Sequence, residues 1–254
     1  DMYPYTAGAT SLGALLPGWV HEGGLARLLP RLSDPSIRDR IRRDIEQGLE
    51  GWWNPVRAAG WEGIQISRAP RHRSYQGLRV TDIAAAGQHD PLDAALDLLL
   101  AEEGNAGVVL FMMGEDSVRT ILQHPRVMIG SDAGATAPYG VLGQGHPHPR
   151  AYGTFPRVLG AYVRELGMLS LEQAIHRMTG LAAWRLGLPD RGLIRPGYKA
   201  DLVIFDAQHI ADLATYDTPQ AYPSGIQWVI VNGQVVLQNA ERPPTLPGRV
   251  LVRP

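Results

Sequence analysis

One short, uninterrupted apolar run, GVVLFMM (107–113), and a second strand-like segment, RVMIGSD (126–132), constrain the fold more than any other feature. A strand without polar alternation is covered on both faces, so each predicts a buried strand rather than one side of a solvated sheet. Between them EDSVRTILQ has helical spacing, and the pair reads as α/β architecture. Upstream, SDPSIRDRIRRDIEQGLEG predicts a helix capped by Asp34, with Pro35 in its first turn and an apolar stripe of Ile37, Ile41, Ile45 and Leu49. Gly48 or Gly51 would end it. DPLDAALDLLLAEEG repeats the pattern from Asp90 and Pro91, closing at Gly104. SLEQAIHRMTGLAAWRLG predicts one continuous helix opened by a Ser170–Gln173 capping box. DMYPY reads as a strand, with TAGATS as the loop that stops it. ADLVIFD (200–206) and WVIVNGQVVLQ (228–238) read as strands, the latter folded back at Asn232-Gly233, a pair suited to positive φ. The order is α/β units to about residue 190 and then an all-β tail. Residues 52–80, with Trp52, Trp53 and Trp61, carry little periodicity.

The 254 residues suffice for one large α/β domain or two smaller ones. Twenty-four basic and 25 acidic residues leave a net charge of −1, which argues against nucleic acid and against a polybasic membrane surface. With no cysteine, disulfides, thiolate nucleophiles and thiolate metal ligands are excluded. No apolar run approaches the roughly 20 residues that span a bilayer. The first residues carry no signal-peptide pattern, so a cytoplasmic location is the default expectation. A chain starting at Asp1 without an initiator Met suggests a fragment or a processed chain.

Between the second strand-like segment and the next helix lies SDAGATAPYGVLGQGHPHPR, a polar link too long and too rich in Gly and Pro to serve only as a connector. Asp132 opens it at the C-terminal end of a predicted strand, where parallel α/β folds collect catalytic groups. A carboxylate there ligates a metal, acts as a general base, or simply caps a turn. His146 and His148 stand two apart, but Pro147 and Pro149 rule out a ladder-paired strand that would aim both at one metal. They read as supports of the loop rather than as ligands. Arg150 ends the link, and its guanidinium suits a carboxylate. Tyr3 and Tyr5, at another strand end, offer phenols for an oxyanion or rings for packing. His21, His72, His89, His124, His176 and His209 stand alone and read as surface or satisfied histidines.

Several segments together, DMYPYTAG, VMIGSDAG, HPHPRAYGTFPRVLGAYVRE, LSLEQAIHRMTGLAAWRLGL and RGLIRPGYKADLVIFD, resemble the C-terminal half of N-acyl-D-amino-acid deacylases (D-aminoacylases), metal-dependent hydrolases of the amidohydrolase superfamily. The resemblance runs through most of the chain in the right order. PHPRxYGTFPRVLG is specific to the deacylases, whereas RPGxxADLVIFD identifies only the superfamily.

The resemblance implies a TIM-like (β/α)8 barrel with an inserted lid and a small β-sandwich. Residues 1–11 would end barrel strand seven, 12–105 would be the lid, 106–190 the last barrel strand and its helices, and 191–254 a share of the sandwich. It gives Asp132 the proton transfer from a metal-bound water to the leaving amine, Arg150 the substrate carboxylate and Tyr3 a substrate or oxyanion contact. It also gives one or two zinc ions, to which Asp132 would be a weak ligand, and an N-acyl-D-amino acid or D-configured peptide as substrate. The remaining zinc ligands precede DMYPY in the family. A complementary N-terminal chain with barrel strands one to six is therefore the expected partner. Two departures bear on substrate choice: the family's serine contact falls on Ala9, with Thr10 and Ser11 beside it, and the Asp132–Arg150 link is long. Two competing readings are another amidohydrolase chemistry (cyclic amide or dipeptide hydrolysis) and a non-catalytic scaffold subunit.

Overall fold

A computed structural model describes residues 1–251. They form two compact units. The first comprises Tyr5–Glu115 and Thr136–His148; the second comprises Asp1–Pro4, Asp116–Ala135 and the chain from Pro149 onward. Among the described residues no helix is long and apolar enough to cross a membrane.

The first unit runs β1 (Ala7–Ser11), α1 (Leu25–Leu32), α2 (Pro35–Gln47), α3 (Pro55–Ala59), β2 (Ile64–Arg68), α4 (Val80–Gly87), α5 (Pro91–Ala101) and β3 (Gly107–Phe111). Its three strands make an antiparallel sheet in the order β1-β3-β2. Central β3 carries Val108, Val109 and Leu110, all buried although they point alternately to opposite faces. The apolar run is thus a doubly covered strand, as its composition requires, but within an antiparallel sheet. Strand β1 corrects the sequence reading, which made TAGATS a loop. Ala and Gly have low strand propensity, on a scale spanning only ~1 kcal/mol. Five registered partners on β3, from Ala7↔Phe111 to Ser11↔Gly107, outweigh it.

Both Asp-Pro helices form as expected. Asp34 accepts from the Ser36 N–H at 2.8 Å and Asp90 from the Leu92 N–H at 2.9 Å. Gly48 closes α2 with φ +86°, and the Gly104 N–H reaches back to the Leu99 carbonyl at 2.8 Å. The helices are stitched side by side, Arg42 holding Asp90 at 2.7 Å and Asp93 at 2.8 Å. Ile41 and Ile45 enter the core with Leu12, Leu32, Ile64 and Leu99, whereas Leu49 at the end of the stripe is exposed.

The second unit runs α6 (Glu115–Gln123), α7 (Arg150–Arg157), a π-helical extension (Val158–Glu165), α8 (Leu171–Met178), α9 (Gly180–Leu186), β4 (Leu202–Phe205), β5 (Ile226–Val231) and β6 (Gln234–Gln238). The β5–β6 hairpin turns at Asn232 (φ +48°) and Gly233 (φ +79°), as the Asn-Gly pair predicts. The single helix read through residues 170–187 is two. Its capping box is present, but at Thr179 the backbone leaves the helix (φ −130°, ψ −87°) and the hydroxyl donates to the Ile175 carbonyl at 2.7 Å. RVMIGSD, expected as a buried strand, is not one: only Ile129 of its residues is buried, it builds no ladder, and its strand pairing is one parallel bridge, Met2↔Ile129. The Met2 N–H donates to Met128 O at 3.0 Å and the Gly130 N–H to Met2 O at 2.9 Å. Pro4 has no N–H with which to continue it. Residues 252–254 of the expected sandwich share lie outside the described residues.

One buried carboxylate organises a loop of the first unit. The Glu102 side chain, 1% exposed, accepts from the Arg71 N–H at 3.0 Å, the His72 N–H at 2.8 Å and His72 Nδ1 at 2.8 Å. Burial pushes this carboxyl up, and the hydrogen bonds from His72 and the two backbone N–H groups more than offset that, holding it below its ordinary 4.5. A group lowered by folding stabilises the fold fully above its unfolded value and loses that contribution as pH falls through the folded value. The thermal midpoint of the wild type should therefore fall as pH drops below about 4.5, while Glu102→Gln, already destabilised at neutral pH, should show a shallower acid slope. Parallel slopes in the two proteins would remove Glu102 from the acid response.

Candidate active site

The parallel bridge at Met2 and Ile129 brings two distant segments together, so that Tyr3 and Asp132 both lie just beyond it in the chain direction. Arg150 joins them as the first residue of α7. Its Nη2 lies 2.9 Å from Asp132 Oδ2, and its guanidinium carbon stands 4.5 Å from the centre of the Tyr3 ring. The three residues that the sequence analysis marked for chemistry thus meet within the second unit.

The partners differ sharply in setting: the Arg150 side chain is 8% exposed and that of Asp132 72%. A helix N-terminus carries partial positive charge, so arginine at the first position of α7 opposes the helix dipole by about 0.3–1 kcal/mol. Guanidinium and helix terminus together attract one anion, and in this structure a carboxylate of the chain itself, Asp132, answers. The Tyr3 ring face lies against the cation and supplies no competing charge.

Asp132 has φ +47°, a left-handed conformation that Asp and Asn accept more readily than other side chains. The turn that begins here swings its carboxylate out of the extended segment toward Arg150. A contributor that the sequence analysis missed is Arg157, at the other end of α7. Its Nε donates to the Pro4 carbonyl at 2.8 Å and its Nη1 meets Asp212 Oδ2 at 3.2 Å, tying down the residue next to Tyr3. The signal was in plain view in TFPRVLG, but nothing local distinguishes a structural arginine there.

His146 and His148 belong to the first unit. His148 is buried, donates from Nε2 to the Ala7 carbonyl at 2.9 Å and sets its ring edge-on to Tyr5 at 5.2 Å. A nitrogen that donates to a carbonyl has no lone pair for a metal. His146 gives its backbone N–H to the Ser67 carbonyl at 2.7 Å, and its ring lies over Gly77, where a Cβ would stand 3.3 Å from Cε1. Among the described residues no group of three or more His, Asp or Glu side chains is placed to hold a metal ion. A stable zinc site takes three or four protein ligands. The donor set described here therefore does not make one.

The chain belongs to the amidohydrolase family, whose model matches residues 44–237. It is 42% identical over 199 residues to N-acyl-D-glutamate deacylase of Alcaligenes xylosoxydans xylosoxydans, covering 78% of this chain and 38% of that protein. D-aminoacylase of the same organism is 47% identical over 148 residues, covering 58% of this chain and 29% of the relative. Among solved structures, N-acyl-D-glutamate deacylase from Bordetella bronchiseptica, complexed with zinc and a phosphonate mimic of the tetrahedral intermediate, aligns with TM-score 0.67 at 34% identity, over 93% of this chain and 39% of that one. A D-aminoacylase structure aligns with TM-score 0.68 at 33% identity, over 96% of this chain and 40% of its own. The mixed α/β fold is therefore shared with these enzymes, and the chain spans about two-fifths of their length.

Asp132→Asn should unfold within about 1 kcal/mol of wild type, since Asn accepts the left-handed backbone and its carbonyl can still meet Arg150. Asp132→Val should cost about 1–2 kcal/mol more, because a β-branched side chain resists positive φ. Denaturant melts of the two variants test this; coincident midpoints would mean that the turn at Asp132 carries no conformational demand.

Proposed function

We propose that this chain is the C-terminal portion of a zinc-dependent hydrolase that cleaves the acyl amide bond of N-acyl-D-amino acids or D-configured peptides. The observation that carries the reading is the buried Arg150 guanidinium paired at 2.9 Å with the exposed carboxylate of Asp132, beside Tyr3. The relatives named above, all deacylases of N-acyl-D-amino acids, support the substrate class.

Arg150, itself buried, already pairs with a carboxylate, as a clamp for a substrate α-carboxylate must. An arriving substrate carboxylate would compete with Asp132 for the guanidinium. Asp132, released, takes the proton from the attacking water and returns it to the leaving amine nitrogen. Substrate binding would thereby arm the base. Tyr3, held by the Met2 bridge and by Arg157 at Pro4, offers its phenol to the substrate or to the developing oxyanion. His146 and His148 act as supports of the loop that leads into Arg150.

We assign the zinc, one or two ions, to residues outside this chain, with Asp132 at most a weak contributor. The parallel bridge between Met2 and Ile129 supports reading the segments around them as strands seven and eight of a TIM-like barrel; in the same proposal residues 12–105 are a lid and 191–254 part of a sandwich. A complementary portion with strands one to six and the metal ligands completes the enzyme in this proposal, since the chain spans about two-fifths of its solved relatives. The intact masses of everything that co-purifies would reveal it.

In that completed enzyme, Asp132→Asn should reduce kcat at least about a hundredfold with zinc content unchanged, the usual contribution of a positioned acid-base group. Arg150→Met should mainly raise KM for carboxylate substrates, with a smaller change for their methyl esters. A stopped assay on a panel of D- and L-acyl amino acids checks both. Wild-type turnover in the first variant, or an unchanged KM in the second, would reject the assigned role. Stoichiometric zinc without hydrolysis of any D-substrate would favour a different amidohydrolase chemistry, and no bound metal would favour a scaffold.

A further inference from the structure

The first unit contains a hollow of about 360 Å³ that takes no part in the site above, lined by Gly48, Leu49, Trp52, Trp53, Asn54 and Arg57 among others. Its volume falls within the range of small-molecule pockets, about 300–1,000 Å³. It forms where α2 ends. Gly48 (φ +86°) and Gly51 (φ +73°) turn the chain twice, so that Trp52 and Trp53 follow at once. Asn54 is tied into the wall: its amide donates to the Ile45 carbonyl at 2.8 Å and its oxygen accepts from the Arg57 N–H at 3.0 Å.

Two features lack a structural purpose. Trp53 is 61% exposed, although Trp52 beside it packs on the core and Leu49 is also exposed. The Arg57 guanidinium makes no hydrogen bond or ion pair with any described residue; a Cβ at Gly48 would stand 3.8 Å from its Nη1, which puts it at the rim of the hollow. Glu62 and Glu50 are the acids nearest to Arg57 in sequence, and neither lines the hollow. An indole left in water and a cation left without an anion beside it are complementary to one kind of molecule.

We propose that this hollow binds a small amphiphilic carboxylate, its apolar body against Trp52, Trp53 and Leu49 and its carboxylate forked onto Arg57. A single guanidinium, with no second cation in the lining, suits a monoanion rather than a phosphate dianion. Free fatty carboxylates and N-acyl amino acids share this chemistry. The inference is independent of the hydrolase reading, because none of these residues takes part in it.

The test is tryptophan fluorescence of the purified full chain, with any portion that accompanies it, titrated with octanoate and separately with N-octanoylglycine. A saturable change is expected with at least one, about tenfold weaker with neutral octanamide and in Arg57→Met, and intermediate in Arg57→Lys. Acetate, a carboxylate without the tail, should give none. Trp53→Ala should remove the saturable signal while Trp53→Phe keeps the affinity, measured by calorimetry, with circular dichroism confirming that each variant folds. The tighter of the two ligands identifies the source. Arg150→Met should leave this binding intact. The proposal fails if neither carboxylate saturates, if octanamide binds as tightly as octanoate, if Arg57→Met binds like wild type, or if Arg150→Met abolishes the signal.

Discussion

Two backbone hydrogen bonds at Met2, one from its N–H to Met128 and one to its carbonyl from Gly130, are the constraint on which the candidate site rests. They join segments more than 120 residues apart in sequence. Closing so long a loop costs entropy that grows only logarithmically with length. Much of the intervening chain meets its own cost by folding around its own core, through Leu12, Ile41, Ile64 and Leu99. The bridge is short because Pro4 cannot extend it, and Arg157 compensates by donating to the Pro4 carbonyl. Without that closure Tyr3 would have no fixed position relative to Asp132 and Arg150.

Given the closure, the electrostatics follow. A buried guanidinium at a helix N-terminus is doubly positive and must find an anion, because an uncompensated buried charge costs several kcal/mol. The anion found here is Asp132, itself exposed and set on a left-handed turn. Under the proposed mechanism this ion pair gives way when a substrate carboxylate arrives.

Legibility in the sequence followed the range of the forces involved. Asp34 and Asp90 caps, the Ser170–Gln173 box and the Asn232-Gly233 turn were readable because each depends on residues within four positions. β1 was not, because AGATS has poor intrinsic strand propensity and becomes a strand only by pairing with β3 across some hundred residues. The break at Thr179 escaped notice because the apolar period continues through it. For the site, Asp132 and Arg150 stood out as the polar ends of an over-long link. Arg157 had no such flag, since its role is a contact with a carbonyl at the far end of the chain.

By itself the sequence determined the buried character of Val108–Leu110, the starts of the helices at Asp34, Asp90 and Ser170, the hairpin, the exclusion of thiolate chemistry within this chain and the three residues worth attention, because composition and short-range spacing encode them. Tertiary structure alone decided that 107–111 sits in an antiparallel sheet, while 127–130 pairs in parallel with the N-terminus. It also decided that His148 spends Nε2 on the Ala7 carbonyl rather than on a metal, and that Asp132 faces Arg150 at hydrogen-bond distance. The physical reason is common to all three: strand partner, histidine tautomer and ion pairing are each selected by groups far away in the chain, which no local pattern specifies.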